Sequence, residues 1–200
     1  MPQWNCTCTN CVAARGGKIA PQTQSSIAIS SETSREWFLI NASPDLPRQI
    51  ESTPPLQPRH GSLRDTPIAD VFLTNADIDH ALGLLLLRQQ ETPLVVHAAD
   101  ETRTTLAWID HLLARFGGIE WRKINSDFQS LSGGLAFRAI ELPNSVAFQF
   151  RDDISGESAL FAEFRNSFAE FFMNFLHSRN CPCMLSGQST SYRKTSYRMY

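Results

Sequence analysis

The stretch 68-IADVFLTNADIDHALGLLLLR-88 changes its periodicity halfway along, and this change predicts the fold class. Its first part is a run of apolar and β-branched residues, which is typical of a buried strand. From Asp77 onward the pattern predicts a helix with Leu82, Leu85 and Leu86 on one face. A strand that leads through a polar loop into a helix is where α/β proteins place their chemistry.

The flanking sequence predicts further strands and helices around this unit. Residues 25–30 and 37–42 form a predicted hairpin, because two β-branched and aromatic runs enclose a polar turn. Later strands are expected at 94–98, 119–124, 135–142, 145–152 and 158–164, and helices at 43–51 and 100–116. Hairpins and βαβ units are therefore mixed, which predicts a layered α/β sheet protein.

Composition excludes several classes of function. The chain has 200 residues and a net charge of −2, so it lacks the basic field that nucleic acid requires. Its only long apolar run, 81-ALGLLLL-87, is far too short to span a membrane. No secretory pattern precedes Trp4, and we therefore expect a cytoplasmic location, where disulfides are rare.

Three cysteines lie close together in 5-NCTCTNC-11. A bridge between Cys6 and Cys8 would be strained, and Cys8 and Cys11 have no preceding strand of the kind a thioredoxin-like pair needs. The CxCxxC spacing instead predicts that Cys6, Cys8 and Cys11 bind one structural zinc ion. Incidental reduced cysteines are the alternative, and Cys181 and Cys183 are not expected to complete the site.

A second candidate site lies in 74-TNADIDH-80, where Asp77, Asp79 and His80 cluster at the junction between strand and helix. Carboxylate and imidazole together suit zinc, iron or manganese. The alternative is that an aspartate caps the helix and His80 decorates its first turn.

Several segments resemble the pyrroloquinoline quinone (PQQ) biosynthesis protein B family of the metallo-β-lactamase superfamily. The segments are 3-QWNCTCTNC-11, 23-TQSSIAIS-30, 41-NASPDL-46, 65-DTPIADVFLTNADIDHALGLLLLR-88 and 94-LVVHA-98. The resemblance implies an αββα sandwich, with two facing sheets and helices outside. The superfamily motif HxHxDH falls on residues 75–80, where only Asp79 and His80 match it.

The resemblance implies an iron site in which Asp79 and His80 are catalytic and bind the metal, with Asp77 as a further candidate ligand. The implied activity is oxidation of a tyrosine-type ring in the Glu-Tyr-derived PQQ precursor. The alternatives are a carrier that moves PQQ or its precursor toward the periplasm, and a metal-dependent hydrolase of the superfamily. Two superfamily histidines are replaced by Asn75 and Asp77, which counts against the hydrolase.

Departures from the family pattern give expectations about domain organisation. Residues 1–162 are expected to form a partial metallo-β-lactamase-like domain, and 163–200 a divergent, non-native or disordered tail. We expect a truncated or frame-shifted gene product that is incomplete at both ends and inactive if ligands are missing. The expected partner is the PQQ precursor, with a second copy of the chain as a further candidate.

Two other residues, Asp45 and His97, are weaker candidates. Asp45 follows a strand end and is expected to be a first-turn helix acid. His97 ends a strand and is expected to be a core or rim histidine. His60, His111 and His177 are assigned no role.

Overall fold

The computed structural model describes residues 2–59, 61, 63–87 and 92–163, together with the backbone of 197–198. This part of the chain forms two sheets. In the first, β1 is antiparallel to β2, and β2 to β5 run parallel in chain order. The strands are β1 (Ile27–Ile29), β2 (Trp37–Ile40), β3 (Ile68–Phe72), β4 (Leu94–Ala98) and β5 (Ile119–Lys123).

The second sheet is antiparallel and is ordered β6, β7, β8, β9. Its strands are β6 (Gln129–Ser130), β7 (Leu135–Leu142), β8 (Ser145–Asp152) and β9 (Ser158–Phe161). A further short strand, β10 (Tyr197–Arg198), pairs antiparallel with β1 at the edge of the first sheet. The predicted hairpin and the long strands are therefore confirmed.

Short helices connect the strands. They are α1 (Thr9–Arg15), α2 (Leu46–Glu51), α3 (Ile78–Ala81), α4 (Asp100–Thr105) and α5 (Ala107–Leu113). Four segments are 3-10 helices, namely Pro54–Leu56, Leu82–Leu87, Ala114–Phe116 and Ser132–Gly134. The sequence patterns predicted neither α1 nor the two-residue strand β6.

Two apolar cores establish the layers. One lies between the first sheet and its helices, and it includes Val71, Leu84 and Ile109. The other lies between the two sheets and is dominated by phenylalanine, with Phe72 edge-to-face against Phe137 and Phe148. In the described residues, two facing sheets with helices on the outer face of the first therefore form the αββ part of the expected αββα sandwich.

The helix predicted from Asp77 onward is shorter than expected. Only Ile78–Ala81 is α-helical, and the chain then tightens into a 3-10 helix. Leu84 is fully buried whereas Leu86 is 42% exposed, so the predicted leucine face is wrong. The tightening accompanies a close approach at Gly83, whose N–H donates to the Ala42 carbonyl at 2.8 Å.

The other two predicted helices begin or divide differently from the prediction. Helix α2 begins at Leu46 with Asp45 at its N-cap position, so Ser43 and Pro44 precede it. The helix predicted at 100–116 is divided at Leu106, and Ala99 occupies the N-cap position. Leu106, Ile109 and Leu113 are buried on one side of this segment, whereas Phe116 is 44% exposed.

Candidate metal centres

The Asp-His cluster lies where β3 ends, at the junction of the first sheet and α3. Asp77 occupies the N-cap position of α3, and Asp79 and His80 lie in its only turn. Ligand atoms of all three side chains lie within 4.8 Å of one another. The side chain of His80 is 11% exposed and that of Asp79 is 53% exposed, so the cluster opens to solvent on the Asp79 side.

Asn75 determines which ring nitrogen of His80 is available. Its Oδ1 accepts the backbone N–H of Asp77 at 2.9 Å and lies 2.7 Å from His80 Nδ1. Because this oxygen is an acceptor, Nδ1 must carry the hydrogen. The other ring nitrogen, Nε2, is then left to face the carboxylates. An acceptor on Nδ1–H is the usual arrangement that orients a metal-binding histidine.

Glu163 is the functional candidate that sequence reasoning missed. Its carboxylate Oε2 lies 3.2 Å from His80 Nε2, and its side chain is only 11% exposed. Oε2 also accepts from Asn41 Nδ2 at 3.2 Å and Thr74 Oγ1 at 3.0 Å, while Oε1 accepts from Ser25 Oγ at 2.9 Å. Glu163 falls at the start of the tail expected at 163–200, which departs from the family pattern, and no local sequence pattern marks this glutamate as functional.

Asn41 holds the adjoining strand ends together. It is fully buried and has a left-handed backbone with φ of 60°, which is uncommon outside glycine. Its Oδ1 accepts the backbone N–H of Thr74 at 3.0 Å. The same oxygen lies 3.1 Å from the Thr74 hydroxyl, whose one hydrogen is shared between Asn41 Oδ1 and Glu163 Oε2. Such strained residues concentrate at functional sites, and here the strain places the Asn41 amide between Thr74 and Glu163.

These contacts indicate that the cluster fits a divalent cation. His80 directs Nε2 toward Glu163 Oε2 at 3.2 Å and toward Asp79 Oδ2 at 4.0 Å. A proton or a metal cation between the ring nitrogen and the carboxylates stabilises such an approach. A ligand set of one imidazole and several carboxylates is hard, and it favours iron or manganese over a thiolate-preferring ion.

The cysteines form the second cluster. Cys6 and Cys11 are half-buried and Cys8 is exposed, and the three sulfur atoms lie within 4.8 Å of one another. Sulfur ligands 2.3 Å from one tetrahedral zinc ion lie about 3.8 Å apart, which this cluster can reach with small adjustments. Among the described residues, no further side chain joins the three sulfurs.

The pKa values of these thiols differ in direction. The backbone N–H of Cys11, followed by hydrogen bonds with the Cys6 and Cys11 side chains, lowers the pKa of Cys8 to about 7. A backbone hydrogen bond with Gln3 acts to lower the pKa of Cys11, but the hydrogen bond with Cys8, burial and the charge of Cys6 together leave that pKa raised. Cys8 is thus the first thiolate available to a metal.

Arg15 links helix α1 to the segment that precedes it. At the end of α1, its guanidinium donates to the backbone carbonyls of Gln3, Cys6 and Trp4. The contact with Cys6 is 2.5 Å long and that with Trp4 is 3.3 Å long. This side chain therefore ties α1 to the segment that carries the first sulfur.

The weaker candidates lie apart from both clusters. Asp45 accepts the Gln24 backbone N–H at 2.9 Å and so anchors the segment before β1. His97 is a core residue that pairs with Asp70 at 2.7 Å and stacks on Phe72, although its buried Nδ1 has no hydrogen-bond partner in the described part of the chain. His111 lies on α5, and His60, His177, Cys181 and Cys183 lie outside the described residues.

Comparisons with known proteins give the same fold. The model of the Beta-lactamase superfamily domain matches residues 36–165. Coenzyme PQQ synthesis protein B of Methylobacterium nodulans is 43% identical over 154 residues, which are 73% of this chain and 49% of that protein. Its counterpart in Rhodopseudomonas palustris is 48% identical over 106 residues, which are 53% of this chain and 34% of that protein.

A solved structure agrees with these relatives. The crystal structure of Zn(2+)-bound PqqB from Methylobacterium extorquens superposes with a TM-score of 0.70 at 33% identity, covering 80% of this chain and 57% of that chain. A diphosphatase of the PhnP family, at a TM-score of 0.57 and 16% identity, shares the fold alone.

The facing sheets and the matched residues make the chain a member of the metallo-β-lactamase superfamily. Within that superfamily, it belongs to the PQQ biosynthesis protein B family. The chain spans about half the length of the curated relatives that it matches. In the described residues, no helix has both the length and the apolar character needed to cross a membrane.

Proposed function

We propose that this chain acts in PQQ biosynthesis as a metal-dependent oxidoreductase, hydroxylating the tyrosine-type ring of the Glu-Tyr-derived precursor. The observation that carries the proposal is the convergence of Asp77, Asp79 and His80 within 4.8 Å in a member of the PQQ biosynthesis protein B family. The chemistry that iron supplies in sites of histidine and carboxylate is the activation of dioxygen.

The chain's own residues would have distinct tasks in this reaction. His80 and Asp79 would hold the metal, and Asp77 would contribute a further carboxylate. Asn75 keeps Nδ1 of His80 protonated, so that Nε2 is the nitrogen that faces the metal. The exposed side of Asp79 leaves room for an aromatic ring to approach the cluster from solvent.

The cysteine cluster supports a separate structural role. We infer that Cys6, Cys8 and Cys11 hold zinc, since three sulfurs with one low-pKa thiol form a soft ligand set that suits this ion. The crystal structure of PqqB from Methylobacterium extorquens is Zn(2+)-bound, which supports zinc as the metal of the family. Zinc there would fasten the N-terminal segment, away from the oxidative chemistry.

Oxygen uptake by the full chain tests the proposal. The protein is loaded anaerobically with Fe²⁺ and mixed with aerated buffer, a Glu-Tyr-derived precursor peptide and a reductant such as ascorbate. The reductant supplies the two electrons that reduce the second oxygen atom of O₂ to water when the first enters the ring. We expect precursor-dependent oxygen consumption and a product heavier by one oxygen atom. The His80→Gln variant should lose this activity, whereas Glu141→Gln, an exposed substitution on β7, should retain it.

Other outcomes would favour the alternatives. Tight precursor binding without oxygen uptake would replace the hydroxylase with a carrier. Zinc-dependent ester hydrolysis without oxygen uptake would favour a hydrolase of the superfamily.

A further inference from the structure

The Glu163 side chain is fixed by several polar contacts, although Glu163 belongs to neither the cysteine cluster nor the Asp-His cluster. Its side chain makes polar contacts with residues from four other segments. Its backbone carbonyl also accepts from Ser145 Oγ at 3.1 Å, which fixes the main chain just after β9. A carboxylate with only 11% exposure needs compensation for its charge, and the neutral donors around it supply only part of that compensation.

The two carboxylate oxygens of Glu163 have different surroundings. Oε1 accepts the hydroxyl hydrogen of Ser25 at 2.9 Å. Oε2 is turned toward His80 Nε2, at 3.2 Å. Asn75 Oδ1 lies 2.7 Å from His80 Nδ1, so Nε2 is the ring nitrogen that faces this oxygen. A ring nitrogen and a carboxylate oxygen, both able to bind a cation, therefore face each other in a buried setting.

The separation of these two atoms matches that of neighbouring ligands on one ion. Ligand atoms about 2.1 Å from a metal and at a right angle to each other lie about 3.0 Å apart. The observed distance between Nε2 and Oε2 is 3.2 Å. A cation at this position would contact both atoms.

From this geometry we propose that Glu163 is a ligand of the metal held by His80, so that the centre draws one carboxylate from beyond β9 as well as those of α3. The inference rests on the metal centre of the proposed function and adds a residue to it. The second sheet thereby takes part in binding the ion. A hard oxygen ligand strengthens the preference of the site for iron or manganese.

Titration with Mn²⁺ tests this assignment, because Mn²⁺ favours carboxylate and imidazole ligands over thiolates. Electron paramagnetic resonance of the free ion gives the dissociation constant for the full chain without any measurement of activity. We expect one bound Mn²⁺ in the wild type, loss of binding in His80→Gln, and at least about ten-fold weaker binding in Glu163→Gln. The matched control, Glu141→Gln, should bind as the wild type does.

The outcomes separate the two proposals. Wild-type affinity in folded Glu163→Gln, together with loss of binding in His80→Gln, would overturn the role of Glu163 and leave the metal centre intact. Failure of the wild type to bind Mn²⁺ at all would overturn both. If circular dichroism shows that Glu163→Gln is unfolded, Glu163→Asp decides: about ten-fold weaker binding supports the assignment, and unchanged binding refutes it.

Discussion

Gly83 is the residue at which a single methyl group should disturb both stability and the candidate site. A Cβ there would lie 2.4 Å from the Ser43 carbonyl oxygen and 2.6 Å from that of Ala42. Ordinary contacts begin at 3.4 Å, so the 3-10 helix would have to move by about 1 Å. The Ala42 N–H donates to the His80 carbonyl at 2.6 Å, and this movement would therefore be transmitted to His80.

The expected loss in free energy of unfolding comes from overpacking of the added methyl group against rigid backbone. Small-to-large substitutions in a packed core cost about 1–3 kcal/mol, and the backbone contacts of 2.4, 2.6 and 2.7 Å place Gly83 in the upper part of that range, at about 2–3 kcal/mol. The better helix propensity of alanine offsets about 1 kcal/mol of this. We therefore expect Gly83→Ala to lower the free energy of unfolding by about 1–2 kcal/mol and the melting temperature by about 2–8 °C.

Thermal unfolding followed by circular dichroism measures this change. Gly16→Ala is the matched control, because its φ is −82° and an added Cβ would meet nothing closer than 3.4 Å. Mn²⁺ affinity should fall in Gly83→Ala and stay unchanged in Gly16→Ala. A Gly83→Ala protein as stable as the wild type would refute the idea that close packing at this glycine positions α3.

Three further predictions concern other parts of the molecule. Asn75→Ala should weaken Mn²⁺ binding about ten-fold, because His80 loses its orienting acceptor; an unchanged dissociation constant would contradict this. Because only the thiolate reacts, alkylation of Cys8 in metal-free protein should rise with pH and reach half its maximal rate near pH 7, and a midpoint near 9, read by mass spectrometry, would show that its pKa is not lowered. Phe148→Ala should cost about 3–5 kcal/mol in denaturant unfolding, whereas Leu112→Ala at an exposed site should cost far less.

The strands could be predicted because their sequence patterns involve residues that are close together in the chain. The alternation of Val146, Phe148 and Phe150 correctly indicated the buried face of β8, because side chains on a strand alternate between its two sides. The parallel core strands were recognised as near-continuous apolar runs, which is how doubly covered strands appear in a sequence. These features depend on residues that are neighbours in the chain.

The helix predicted from Asp77 onward was wrong in its length and its buried face because its geometry depends on a contact with a residue distant in sequence. The leucine run from Leu82 to Leu87 fits an α-helix by period, but the approach of Gly83 to Ala42 accompanies a 3-10 geometry that buries Leu84 instead. No sequence pattern near Leu82 predicts the contact between Gly83 and Ala42.

The candidate site likewise contains residues that could be predicted from the sequence and one that could not. Asp77, Asp79 and His80 could be recognised because they are adjacent in sequence at a strand end. Glu163 could not, since its role depends on residues that lie far away along the chain. The available signal was its position near the end of the strand predicted at 158–164, and this is too common to identify a ligand.

The hydrogen bonds of Glu163 to Ser25, Asn41 and Thr74 span 138, 122 and 89 residues. Contacts of such long range form only after the intervening loops have closed, which is slow. During folding, the carboxylate therefore reaches His80 only when both sheets have docked. Binding of one ion by both His80 and Glu163 would then require the completed tertiary structure, whereas the carboxylates of Asp77 and Asp79 are near His80 at every stage because they are its neighbours in sequence.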